Sequence, residues 1–94
     1  MVTHYPPFDP DGSAHTLYGG GEAFMELMAE HDVAYVFAGH IHAYSEQTRD
    51  GTMYVITGGA GASLYDTDHP NAFYHYVQVT IAGTEVSTKV VRLE

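Results

Sequence analysis

Hydrophobic positions along the 94-residue chain fall into short runs whose period changes from segment to segment. Val2-Thr3-His4 reads as the end of a short strand, stopped by Pro6 and Pro7, which remove ladder donors and disfavour helix before them. Phe8–Gly21 is rich in Asp, Pro, Ser and Gly and reads as an irregular surface segment, with a turn at Asp9-Pro10-Asp11-Gly12. Over Glu22–His31 the period becomes helical: Phe24, Leu27 and Met28 share one face, and Glu22, Glu26 and Glu30 follow at i+4 on another. Those glutamates read as a solvated acidic face rather than a cation site, because like charges at that spacing repel. His31 falls near the helix end, where the dipole favours a cation.

Val33–Ala38 is a continuous apolar run rich in β-formers and predicts a buried strand. Ala43–Arg49 and Met53–Thr57 flank Asp50-Gly51, residue types that suit a tight hairpin turn. Gly58-Gly59-Ala60-Gly61-Ala62 lacks the Lys-Ser/Thr of a phosphate-binding loop and reads as a place of close backbone packing. Leu64–Ala72 predicts a second long loop, with Asp66, Asp68 and His69 in solvent. Tyr74–Ile81 and Glu85–Arg92 form a second hairpin through Ala82-Gly83-Thr84, with Val77, Val79 and Ile81 turned to a core and Tyr76, Gln78 and Thr80 on the other side. The pattern predicts one sheet-rich unit spanning residues 1–94 with one helix, of α/β class with α+β as the alternative.

Charge narrows the partners. Twelve acidic residues against Arg49, Lys89 and Arg92 give a formal net charge of −9, which repels a nucleic-acid backbone or an anionic membrane. The absence of cysteine excludes disulfides, thiolate metal sites and cysteine nucleophiles, and leaves the redox compartment open. With no leader-like first segment and no apolar stretch near the length of a membrane span, the sequence is expected to be soluble.

The candidate chemistry lies in Gly39-His40-Ile41-His42, at the end of the Val33–Ala38 run. If the backbone stays extended there, His40 and His42 project from one face while Ile41 points to a core. A neutral imidazole donates a lone pair to zinc, iron or manganese, so a shared face suggests a metal. His4, following another predicted strand, is a third donor, and the carboxyl ends of neighbouring strands are where α/β proteins build sites. His15, His69 and His75 stand alone without a partner at ligand spacing and read as ordinary loop or strand histidines. Tyr44 is a candidate substrate contact, or an aromatic packed beside the hairpin.

Three segments, Val2-Thr3-His4-Tyr5-Pro6-Pro7, Phe37-Ala38-Gly39-His40-Ile41-His42-Ala43-Tyr44 and Tyr54-Val55-Ile56-Thr57-Gly58-Gly59-Ala60-Gly61-Ala62, in this order around a helix and a strand, resemble the carboxy-terminal part of calcineurin-like metallophosphoesterases, including the branch similar to purple acid phosphatases. The resemblance covers nearly the whole chain. It implies the carboxy-terminal half of a β-sandwich flanked by helices, and a site of two divalent or trivalent ions, zinc, iron or manganese. His4 and His40 would ligate one ion and His42 the other, and a hydroxide activated by both would attack phosphate mono- or diesters.

Complete members also carry an upstream Asp-x-His, a Gly-Asp-x-x-Asp and a Gly-Asn-His followed by an acid. None occurs here, so the resemblance implies part of a site, no identifiable catalytic acid or base in this chain, and a cut through a larger domain. Ser45-Glu46 also differs from the Glu-Arg that follows the corresponding Tyr in proteins similar to purple acid phosphatases. Exposed sheet surface and edges are expected to drive self-association or association with a missing upstream half. Two alternatives accompany this reading. One is a non-catalytic module in which the three histidines meet a single zinc. The other, suggested by His40, His42 and Glu46, is a cupin-like barrel. The identity of the phosphate ester does not follow from the sequence.

Overall fold

Among the described residues, two sheets and one helix follow the predicted order. The computed structural model describes residues 1–9, 19–64 and 72–93, so the expectations for His15, Asp66, Asp68 and His69 lie outside the described residues. The elements are β1 (Val2–Thr3), α1 (Gly21–Glu30), β2 (Tyr35–Ala38), β3 (Tyr44–Arg49), β4 (Thr52–Thr57), β5 (His75–Ala82) and β6 (Glu85–Arg92). The first sheet has the order β1-β2-β4-β3, and β5 and β6 form a separate two-stranded antiparallel ribbon. β1, β2 and β4 run parallel, and β3 is the antiparallel edge of the sheet. This is the sheet-rich mixed α/β class expected, and an open mixed sheet carrying a helix excludes the all-β cupin-like barrel.

The alternation of the strands sorts the sheet into two faces. Val36 and Tyr54 are register neighbours on the face that α1 covers, where they form a buried core with Met28, flanked by Phe8, Phe24, Met25 and Val33. Leu27, expected on this face, is 48% exposed, because Phe24, Met25 and Met28 make the contact and leave Leu27 at its margin. The helix ends through Asp32 at φ +52, with Val33 N–H bonded to Met28 O at 3.0 Å and Asp32 N–H to Ala29 O at 3.2 Å. Two successive backward bonds of this kind satisfy the last carbonyls of a helix, and the Val33–Met28 contact closes the turn into β2.

The opposite face carries the stacked rings of Tyr35 and Phe37, 5.7 Å apart, and meets the β5–β6 ribbon, where the Tyr35 hydroxyl donates to Val86 O at 3.4 Å. Here one expectation is corrected. His75 is fully buried and Val77 half-buried, but Val79 is 40% and Ile81 72% exposed, because a groove separates this part of the ribbon from the sheet. The gap between them is a groove of about 250 Å3 whose lining includes Tyr35, Phe37, Val79, Ile81 and Val86. Among the described residues, no helix is long and apolar enough to cross a membrane.

The Tyr54 hydroxyl is buried with no hydrogen-bond partner among the described residues. Leaving such a group unpaired costs about 1–3 kcal/mol, so Tyr54→Phe is expected to hold or raise the melting temperature at pH 7. Burial, then the charge of Asp50, pushes the Tyr54 phenol above its ordinary pKa, against a smaller opposing effect of Arg49. A raised pKa means the folded state holds the proton more tightly. The associated stability is therefore complete below the unfolded value near 10 and is lost as pH rises above it. Thermal melts at pH 7 and pH 11 should show Tyr54→Phe losing less stability than the wild type over that interval. A larger loss would contradict the burial argument.

Candidate metal centre

His4 stands one residue past the end of β1 and His40 two residues past the end of the neighbouring parallel β2, since the register pairs Thr3 with Ala38. The Gly39 N–H donates to the His4 carbonyl at 3.0 Å and extends the pairing into the loops. The two rings are thereby brought together, with His4 Nε2 3.3 Å from His40 Nδ1. Tyr5 completes an aromatic cluster, 4.4 Å from the His40 ring and edge-on to His4 at 4.8 Å. The sequence reading did not single out Tyr5; its position beside His4, before two rigid prolines, was the available signal.

The backbone from Gly39 to Ala43 is not extended. His40 has φ +66, a left-handed conformation, and the Ile41 and Ala43 N–H groups each bond back two residues, to Gly39 O and Ile41 O at 2.8 Å. This corrects the shared-face argument for His40 and His42: they sit on a tight loop, not on a strand. Ile41 does point inward, at 5% exposure. His42 turns to another part of the chain, where Nδ1 lies 2.6 Å from the Ser63 carbonyl oxygen. Among the described residues, no group of three or more histidine or carboxylate side chains is arranged to hold one metal ion.

Tyr44 lies at the start of β3 and donates its hydroxyl to Glu46 Oε2 at 2.8 Å. Burial, then that hydrogen bond and the Glu46 charge, pushes its phenol well above the ordinary range. Its ring meets His75 edge-on at 5.4 Å and Phe73 at 6.2 Å, so Tyr44 belongs to the aromatic seam between sheet and ribbon.

His75 is the centre of that seam. Its Nδ1 lies 2.9 Å from the Phe73 carbonyl and its Nε2 2.8 Å from Thr57 Oγ1. A carbonyl only accepts, so Nδ1 carries the hydrogen, and the Thr57 hydroxyl donates to Nε2 of the neutral ring. The expectation of an ordinary strand histidine is met by a structural one, joining β4 to β5.

Both arginines lie against aromatic rings. Arg49 is at the far end of β3 from Tyr44, 4.0 Å from the Phe8 ring centre, and Arg92 lies 4.4 Å from that of Phe73.

Among solved structures, wild-type Vps29 from Entamoeba histolytica, complexed with Zn2+, matches with a TM-score of 0.51 at 21% identity, over 82% of this chain and 48% of that one. A single mutant of the same protein gives a TM-score of 0.48 at 17% identity, over 99% of this chain and 55% of that one. The chain spans about half the length of the solved structures it matches. The likeness is one of fold, that of Vps29. No family profile and no curated protein matches the sequence.

Proposed function

We propose that the chain is the carboxy-terminal, metal-binding part of a metallophosphoesterase-fold unit. In this reading His4 and His40 hold one divalent ion and His42 faces a second. The observation that carries it is the 3.3 Å approach of His4 Nε2 to His40 Nδ1 at adjacent strand ends. Two nitrogens about 2.0–2.1 Å from one tetrahedral zinc stand about 3.3–3.4 Å apart, so the pair already has the spacing of two ligands. The fold-level neighbour complexed with Zn2+ makes zinc a suitable probe. His42, turned to Ser63, fits a separate ion better than a three-histidine site around one.

A bound divalent ion supplies positive charge to phosphoryl oxygens and acidifies water. The residues of this chain support that use. With both arginines, Arg49 and Arg92, set against aromatic rings, a metal held by the histidine loops would supply the charge that attracts a phosphate ester. Hydrolysis would need carboxylates that the described site does not assemble, and these come from a further half of the fold in this reading. The open side of β1, with Val2 78% exposed, and the apolar groove beside the ribbon are surfaces such a half would cover.

Calorimetric titration of the metal-free chain with ZnCl2 tests the proposal. His4→Ala and His40→Ala are each expected to weaken zinc binding by about 100-fold or more, since losing even an outer-shell partner costs 10–100-fold. A wild-type chain that binds no zinc, or single variants that bind like wild type, would overturn it.

A further inference from the structure

We infer that the loop after β4, Gly58–Ser63, is a positioning platform that fixes His42 in one ring tautomer, with Nδ1–H held by the Ser63 carbonyl and the acceptor nitrogen at Nε2. This deepens the reading above, because it names the atom of His42 that would meet a metal and the element that aims it. The hydrogen bond is short, 2.6 Å, and its oxygen can only accept. In the neutral ring the lone pair is therefore on Nε2. Metal-binding histidines are commonly held this way, through a carbonyl at the other ring nitrogen.

A second set of contacts joins the same two loops. Gly58 N–H donates to Ala43 O at 3.2 Å. A side-chain methyl on Gly58 would collide with the Ile41 carbonyl oxygen, and would stand 2.7 Å from its carbon and 3.3 Å from the His42 nitrogen. Only glycine lets the two backbones come this close. The histidine loop needs such support, because His40 is in a left-handed conformation and its neighbours make two-residue backward bonds rather than a ladder. Buried Ile41 anchors the loop from inside, and Gly58 and Ser63 hold it from outside.

The test begins on metal-free protein, so that it does not depend on zinc being bound. Long-range proton–nitrogen NMR of ring-labelled histidines should show His42 as the Nδ1–H tautomer. The Nε2–H tautomer would overturn the inference. Gly58→Ala is expected to give a mixed or altered His42 pattern and to weaken zinc binding by about tenfold or more, within the range seen when outer-shell partners are lost. Gly83→Ala, in the β5–β6 turn at φ +63, is a strained substitution at the opposite end of the ribbon from His75 and serves as the control. It should leave both readouts as in wild type. A Gly58→Ala chain with unchanged tautomer and affinity, or a Gly83→Ala chain with the same losses, would overturn the positioning role. A wild-type chain with the expected tautomer but no zinc affinity would remove the metal reading and leave the platform standing.

Discussion

His75→Ala is expected to destabilise the protein by about 3–5 kcal/mol, the usual cost of truncating a large buried ring. The ring is completely buried, and it bridges the sheet and the ribbon. Through Nε2 it takes the Thr57 hydroxyl of β4, through Nδ1–H it holds Phe73 O, and its own backbone N–H donates to Gly59 O at 2.9 Å. Alanine would keep the backbone bond alone, leave the Thr57 hydroxyl and Phe73 carbonyl without these partners, and open a void beside Tyr44 and Phe73. A loss of this size is a large share of the 5–15 kcal/mol that stabilises an ordinary domain.

The loss should also be local in origin. Among the described residues β5 and β6 pair only with each other, and an isolated two-stranded hairpin is marginal in water. Hydrogen exchange should therefore show residues 75–92 losing protection before β2 and β4, alongside a lowered urea midpoint. His75→Phe, which refills the space with a somewhat larger ring and removes the two ring bonds, should fall between alanine and wild type. A wild-type urea midpoint for His75→Ala would remove the pin, and uniform loss of protection would remove its local character.

How much of this was legible beforehand depends on the range of the contact. The hairpins were, because their turn chemistry is local: Asp50 at φ +51 and Gly51 at φ +82 adopt the paired left-handed conformations that Asp-Gly favours. The helix was legible from its period, but not its rotation, which leaves Leu27 at the margin. His75 could have been placed on the inner face, since it shares period-2 alternation with Val77, Val79 and Ile81. Its partners could not, because Thr57 lies 18 residues away.

The histidine site divides along the same line. That His4 and His40 lie at neighbouring strand ends follows from parallel pairing of β1 with β2, which spacing alone does not dictate. The left-handed His40 breaks the extended geometry that would have aligned it with His42. The Ser63 carbonyl, 21 residues on, then decides where His42 turns.

Gly21→Ala sets two effects against each other. In a helix, replacing glycine by alanine is ordinarily favourable by about 1 kcal/mol. Gly21 opens α1 and packs on Pro7, so that an added methyl would collide with the Pro7 carbonyl oxygen and stand 3.2 Å from its carbon. No rotamer relieves a clash between a methyl and backbone, and Pro6 and Pro7 are both buried, so the segment has little room to yield. Overpacking of this kind costs about 1–3 kcal/mol, and a direct backbone collision belongs at the upper end, which outweighs the propensity gain. The expected result is a net loss of about 1–2 kcal/mol in urea unfolding. Gly20→Ala, with nothing within 4 Å of the new methyl, should change stability by less. Because Pro7 follows His4 by three residues, the same displacement should move His4 away from His40 and lower zinc affinity in Gly21→Ala but not in Gly20→Ala. Equal stability and affinity in the two variants would mean that α1 does not set the position of the His4 loop.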